Sequence, residues 1–158
     1  MKLSKLNELT SDEINYISDE LHPVWQNLSV LEDRQPYKKN ILLQLSSPSY
    51  YCLKHNNVII GVFSLKEKNM TYMNVHTAKE SIWLLDVFVM PDFRDNGVGA
   101  FIVDEAKRLA REKNYKYIYL QSVRKHDRYF SDKHGFVIEY WMGAIYDMPS
   151  SVIMKFEL

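Results

Sequence analysis

Hydrophobic and polar residues follow one another along the chain with periods that distinguish strands from helices. The longest apolar run, Ile82 to Met90, is interrupted only by Asp86. Because Pro91 closes this run, it predicts a buried strand. After a glycine-containing turn, apolar residues recur at the spacing of one helix face: Val98, Ile102, Ala106 and Leu109. The centre of the chain therefore predicts a strand, a tight turn and a helix.

The same periodicities predict elements on both sides of this centre. A helix is introduced by the capping-box pattern Thr10-Ser-Asp-Glu13 and ended by Pro23, and a second begins near Pro36. Further strands are predicted at 2–6, 50–55, 58–65, 117–123, 136–141 and 152–156, with a short helix at 125–133. The order β-α-α-β-β-β-α-β-α-β-β predicts a single α/β domain over residues 1–158, with a central mixed sheet flanked by helices.

Composition argues against several classes of function. Basic and acidic residues number 20 each, so the net charge is zero and no attraction to nucleic acid is expected. Cys52 is the only cysteine, which excludes an internal disulfide and indicates a reducing compartment. The N-terminus is too polar for a signal peptide and no run approaches about 18 apolar residues, so we expect a cytoplasmic protein without a membrane span. The five histidines lack zinc-ligand spacing, and no metal is expected.

The turn before the central helix carries the pattern Arg94-x-x-Gly97-x-Gly99. A helix N-terminus offers unpaired N–H groups to an anion, and glycines let a phosphate approach them closely. A P-loop needs a lysine directly after its second glycine, and a dinucleotide fingerprint needs a third glycine where Ile102 stands. These two phosphate loops are therefore excluded. The plainer alternative is that both glycines only shape a turn.

The fuller pattern Val89-x-Pro91-x-x-Arg94-x-x-Gly97-x-Gly99, placed between a strand and a helix, resembles the acetyl-CoA signature of the GNAT N-acetyltransferases. His134-Gly135-Phe136 resembles a second, weaker signature of the family. The order of predicted elements matches the GNAT fold over nearly the whole chain. Within the family, Leu85 to Val89 looks most like the polyamine and aminoglycoside enzymes.

This resemblance implies that an acetyl group passes from acetyl-CoA to a primary amine by direct attack in a ternary complex. It also implies the coenzyme contacts. Phe88 and Val89 would contact the pantetheine arm and the thioester through their main chain. The pyrophosphate would be held by Arg94, Asp95, Asn96, Gly97, Val98, Gly99 and Ala100. The family works without a metal, and the resemblance allows for a homodimer.

Asp86 is the side chain singled out for catalysis. An unpaired carboxylate is costly in a strand that is otherwise apolar on both faces. One interpretation is an acid that attracts a cationic amine and accepts its proton, directly or through water. The other is a carboxylate satisfied by a side chain or backbone group of a neighbouring strand.

Two positions depart from the family pattern. Ser131 stands four residues before Gly135, where the family usually has a tyrosine that acts as general acid. A serine can hydrogen-bond a thiolate but is a poor proton donor beside a phenol. Asp95 stands where glycine or a basic residue is common, and it should weaken phosphate binding slightly. The first departure motivates an alternative function, a CoA-binding regulatory module with little turnover.

The acceptor is predicted from the segment before the second helix. This segment, His22 to Arg34, holds Trp25, Glu32 and Asp33, and by resemblance it borders the acceptor cleft. Together with Asp86, the two carboxylates would attract a cation. We therefore expect a small-molecule amine as the acceptor, ahead of a protein N-terminus or lysine. The alternative is that Glu32 and Asp33 are solvated loop charges.

Overall fold

A computed structural model of the chain describes residues 1–5, 8–26, 47, 49–67, 77–142 and 150–158. Its strands and helices, in chain order, are β1 (Lys2–Lys5), α1 (Ser11–Gln26), β2 (Tyr50–His55), β3 (Val58–Lys66), β4 (Ser81–Val89), α2 (Val98–Glu112), β5 (Tyr117–Val123), α3 (Asp127–His134), β6 (Val137–Met142) and β7 (Ser151–Glu157). The strands form a seven-stranded mixed sheet in the order β1-β2-β3-β4-β5-β7-β6. No helix of the described ranges is long and apolar enough to cross a membrane.

These elements confirm the predicted α/β class with its mixed sheet. All seven predicted strands are present, and so are the helices predicted at the first, third and fourth helical positions of the order. The helix predicted from Pro36 lies outside the described residues. The prediction that Pro23 ends α1 is wrong, because the helix continues to Gln26. A proline removes one backbone donor and crowds one carbonyl, and α1 carries this cost while Ile17 and Leu21 anchor it in the core.

The chain divides into two compact units, the first of which comprises Met1–Phe63 and Asp86–Gly99. In this unit the capping box at the start of α1 is formed: the Thr10 N–H donates to Glu13, and the Glu13 N–H donates to the Thr10 hydroxyl at 3.3 Å. The side chain of Glu13 also pairs with Lys54 of β2 at 2.5 Å. The core of this first unit joins residues of α1, β2, β3 and the end of β4, together with the residue that follows β4: Ile17, Leu21, Tyr50, Cys52, Ile59, Val62, Phe88 and Met90.

The hairpin of β2 and β3 turns at two asparagines, as the sequence predicts. Asn56 and Asn57 both have positive φ, at 49° and 64°. Such a pair of left-handed residues matches the twist of a two-residue hairpin, and asparagine tolerates this conformation better than most residues.

The second unit comprises Ser64–Leu85 and Ala100–Leu158. Here β4 pairs in parallel with β5, from Ser81–Tyr117 to Leu84–Leu120. Strand β7 then pairs antiparallel with both β5 and β6. A small core cluster joins Trp83, Tyr119 and Ile153 across three of these strands. That residues 1–158 form a single domain stays a prediction.

Candidate functional site

The central strand β4 changes character at Asp86. Asp86 has φ of +56°, a left-handed conformation that a strand residue rarely adopts. Ile82 to Leu84 are buried, whereas Leu85 and Asp86 are half-buried and Val87 is exposed. A residue of this kind re-aims the backbone groups that follow it. Asp86 therefore stands at the point where the strand leaves regular geometry, just before the predicted coenzyme contacts Phe88 and Val89.

A tyrosine from β2 holds the Asp86 carboxylate. The Tyr50 hydroxyl donates a hydrogen bond of 2.5 Å to Asp86 Oδ2, and the Tyr50 residue has no solvent exposure. Strand β3 lies between β2 and β4 in the sheet order. Sequence reasoning allowed for such a satisfied carboxylate but missed Tyr50, because a pair 36 residues apart in the chain leaves no local pattern.

The turn after β4 fixes Arg94. A single turn of 3-10 helix at Pro91–Phe93 follows the strand, and the Arg94 N–H donates to the Pro91 carbonyl at 3.2 Å. The Arg94 side chain folds back, since its Nε donates to the Val89 carbonyl at 3.1 Å and its guanidinium lies 5.5 Å from the centre of the Phe88 ring. One of five guanidinium N–H donors is thus used for positioning.

The residues that lead into α2 leave its N-terminus accessible. Asp95 and Gly97 have φ of +60° and +76°, and a Cβ atom at Gly97 would meet nothing within 4 Å. Asn96 donates from its side chain to the Arg94 carbonyl at 2.9 Å. Val98 is buried at the first position of the helix, whose first turn contains no acidic residue. With no acidic residue in its first turn, the positive end of the helix suits an anion.

The other predicted site residues are placed less tightly. Gly99 and Ala100 lie in the first turn of α2. Ser131 is half-buried on α3, and its hydroxyl donates to Asp132 Oδ1 at 2.9 Å, with the Arg128 carbonyl at 3.4 Å. Its proton is thus engaged within its own helix. Glu32 and Asp33 lie outside the described residues. So does the side chain of Trp25, whose backbone belongs to the last turn of α1.

Cys52 is unsuited to nucleophilic catalysis. The residue is fully buried in β2, and this burial raises the pKa of its thiol to about 12. A thiol with such a pKa carries almost no thiolate at neutral pH. No group of His, Cys, Asp and Glu residues that could hold a metal ion occurs in the part of the chain that the structure describes.

Comparison with known proteins places this geometry in a family. The family model described as "Acetyltransferase (GNAT) family" matches residues 14–136, which is most of the chain and includes β4, the Arg94 turn and α2. No functionally curated protein matches the chain in sequence.

Solved structures share the fold at low sequence identity. Ard1 from Thermoplasma volcanium is 17% identical with a TM-score of 0.68, over 99% of this chain and 97% of that one. The PaiA N-acetyltransferase from Thermoplasma acidophilum, solved with coenzyme A, is 16% identical with a TM-score of 0.67, over 99% and 98%. An aminoglycoside 6'-N-acetyltransferase, also solved with coenzyme A, is 12% identical with a TM-score of 0.72, over 99% and 97%.

Proposed function

Because the chain belongs to the acetyltransferase (GNAT) family and is therefore an acyltransferase with acetyl-CoA as its donor, we propose that it acetylates a primary amine on a small cationic molecule. The observation that carries this proposal is the Asp86 carboxylate. It is half-buried on the central strand, held by Tyr50, two residues before the first predicted coenzyme contact.

The coenzyme part of the proposal is supported by the turn between β4 and α2. Arg94 is fixed by Val89 and Phe88, which are the two residues proposed to contact the pantetheine arm and the thioester. Gly97 leaves open space beside the N-terminus of α2. A diphosphate bound here would meet backbone N–H groups and the guanidinium at once. The exposed Asp95 lies in the same turn and should weaken binding only slightly.

For the transfer step, the amine must first lose a proton, because an ammonium has no lone pair for attack. We assign this proton to Asp86, directly or through one water. The amine nitrogen then bonds to the thioester carbon, the carbon–sulfur bond breaks, and the sulfur leaves with the electron pair. The nitrogen releases its second proton as the amide forms, and the sulfur takes up a proton to give the free CoA thiol. A backbone N–H near Phe88 or Val89 is proposed to meet the developing oxyanion. Ser131 stays a prediction as the group that hydrogen-bonds the thiolate, in competition with its bond to Asp132.

The choice of acceptor is supported by charge. A carboxylate at the end of a mostly apolar strand offers a cation a charge-assisted hydrogen bond that a neutral acceptor does not use. The polyamine and aminoglycoside resemblance of Leu85 to Val89 and the named aminoglycoside enzyme among the structural relatives point the same way. Trp25, Glu32 and Asp33 are proposed to complete the acceptor side. A protein N-terminus or lysine is the second choice of acceptor.

The test compares wild type with Asp86→Asn, measured by thiol release from acetyl-CoA with a polyamine, an aminosugar and a short peptide as acceptors. Asp92→Asn is the matched control, because Asp92 is an exposed carboxylate six residues further along the same segment. We expect Asp86→Asn to lower kcat/KM for the cationic acceptors about 100-fold, as for loss of a general base, and to flatten the acidic limb of the pH–rate profile. Asp92→Asn should match wild type.

Two results would contradict the proposal. Wild-type kinetics in Asp86→Asn would remove both the base and the cationic acceptor. If acetyl-CoA binds but no amine in the panel releases thiol, the CoA-binding regulatory module becomes the better description of this chain.

A further inference from the structure

The hydroxyl of Tyr50 is fixed more firmly than that of a surface tyrosine. Its ring is fully buried among Ile17, Leu21, Val62 and Phe88, on the apolar core of the first unit. A ring packed in this way cannot swing, so the hydroxyl has one position. From that position it reaches the Asp86 carboxylate at 2.5 Å, within the range of a charge-assisted O–H···O⁻ bond.

Asp86 needs such a partner for two reasons. Its φ of +56° is a strained conformation that persists only where surrounding groups determine it. Its carboxylate is also half-buried, where rotation about its side-chain bonds would turn the charge away from an incoming amine. One hydrogen bond from a fixed donor limits both the backbone conformation and the carboxylate orientation.

We propose that Tyr50 is a positioning residue of this acetyltransferase: its buried hydroxyl orients the Asp86 carboxylate toward the acceptor amine. The inference rests on the proposed role of Asp86 and adds a residue outside both sequence signatures. A carboxylate has lone pairs for more than one donor, so the bond from Tyr50 is compatible with a second one from an ammonium. Tyr50 thereby links the core formed by α1 and β2 to the geometry of the reacting group.

The experiment uses Tyr50→Phe, which removes only the hydroxyl, with Tyr51→Phe as its matched control. Tyr51 is the next residue of β2 and is almost equally buried, but its ring stacks on Phe63 at 5.2 Å. Loss of one hydrogen bond to a charged group should lower kcat/KM for a polyamine about 10-fold in Tyr50→Phe. Tyr51→Phe should keep wild-type kinetics. Its KM for acetyl-CoA and its melting temperature are the reference values with which those of Tyr50→Phe are compared.

A double-mutant cycle separates positioning from structure. In the Asp86→Asn background, where the carboxylate is gone, adding Tyr50→Phe should lower kcat/KM for the polyamine by a further factor of less than about 2. An equal 10-fold loss in both backgrounds, or a matching rise in the KM for acetyl-CoA, would mean that Tyr50 only supports the fold and would overturn the inference.

The cycle also distinguishes this inference from the proposed function. If Asp86→Asn lowers activity and Tyr50→Phe does not, the positioning role is wrong and the role of Asp86 stands. If neither variant changes the kinetics, both are wrong. Should Tyr50→Phe fail to fold, ¹³C-labelled tyrosine in the wild type provides a second measurement. The inference is supported if the Tyr50 hydroxyl proton exchanges slowly with solvent in wild type and rapidly in Asp86→Ala. Rapid exchange in wild type overturns it.

Discussion

Two regions of the molecule place charged side chains against apolar ones, but their backbones differ. One is the segment from Asp86 to Gly97, and the other is the Lys107 cluster, which comprises Lys107, His134 and Phe156. In the first, two residues other than glycine, Asp86 and Asp95, have left-handed backbone besides Gly97, whereas the left-handed residue beside the second is a glycine, Gly135, which adopts this conformation without strain. In the second, Lys107 is buried on the regular helix α2, and its Nζ donates to the His134 carbonyl at 2.6 Å. The same Nζ lies 3.6 Å from the centre of the Phe156 ring.

This difference indicates what each region is for. Strained backbone is often retained where a group is aimed at a ligand, which is the role that we propose for Asp86 and for the turn before α2. A buried cation on a regular helix, with a carbonyl and an aromatic ring as partners, instead closes the end of α3 against α2. We therefore expect changes in the first region to alter binding and catalysis, and changes in the Lys107 cluster to alter stability alone.

The largest expected effect separates two glycines of similar backbone, one in each region. Gly97 has φ of +76° before α2, and Gly135 has φ of +69° at the end of α3. Valine at either position is strained by about 1–3 kcal/mol. Gly97→Val should also block the approach of a phosphate and weaken acetyl-CoA binding about 100-fold, measured by titration calorimetry. Gly135→Val should lower the melting temperature and leave the dissociation constant unchanged.

Either of two outcomes would undo the comparison. Equal loss of acetyl-CoA binding in both variants would assign the effect to backbone strain alone. No heat with acetyl-CoA and wild-type protein would mean that this turn does not bind the coenzyme at all.

The next effect tests the Lys107 cluster for stability. Lys107→Met keeps most of the buried stem but removes the donor to the His134 carbonyl, and an unpaired buried carbonyl costs about 1–3 kcal/mol. Arg108→Met is the matched control on the next residue. Arg108 is exposed and pairs with Glu105 and Glu112 on the helix surface, so its loss should cost about 0.5 kcal/mol. Chemical unfolding measures both, and acetyl-CoA affinity should stay at the wild-type value.

An outcome in which Arg108→Met is the more destabilising of the two would show that the buried cation contributes nothing net. Burial opposes the stabilisation, because it disfavours the charged form of Lys107 and lowers the pKa of its ammonium group. The hydrogen bond and the ring contacts must exceed this cost for the prediction to hold.

Local sequence predicts much of this structure, but it does not predict contacts between residues that lie far apart in the chain. Strands β2 to β5 and the helix from Val98 follow from periodicity and turn chemistry, which are local. The roles of Tyr50 and Lys107 were missed, because each depends on a partner more than 25 residues away. The expectation that Pro23 ends α1 follows from the chemistry of proline alone, whereas the helix continues to Gln26 and its preceding turns bury Ile17 and Leu21 in the core. The proposed acceptor side, with Trp25, Glu32 and Asp33, lies in a segment without a sequence motif.

The smallest expected effect is a pH dependence of stability that arises from His134. Burial lowers the pKa of its imidazole, and this exceeds the opposing effect of Asp104, whose Oδ1 lies 3.7 Å from Nδ1. The nearby cations Lys107 and Lys133 lower it further. The unfolded chain therefore binds this proton at a higher pH than the folded chain does. The corresponding stability is complete above about pH 6.5 and is lost as the pH falls through the lower folded value.

His134→Phe should remove this part of the profile, because an aromatic ring keeps the edge-on contact with Tyr129 but cannot take up a proton. The free energy of unfolding, measured between pH 5 and pH 8, should fall less steeply toward acid in this variant than in wild type. His126→Gln is the control, since His126 is exposed, and it should leave the slope unchanged. If His134→Phe retains the full acid slope, the dependence comes from carboxylates elsewhere. In that case the charge on His134 does not affect the stability of the Lys107 cluster, and the contrast with the Asp86 region rests on backbone strain alone.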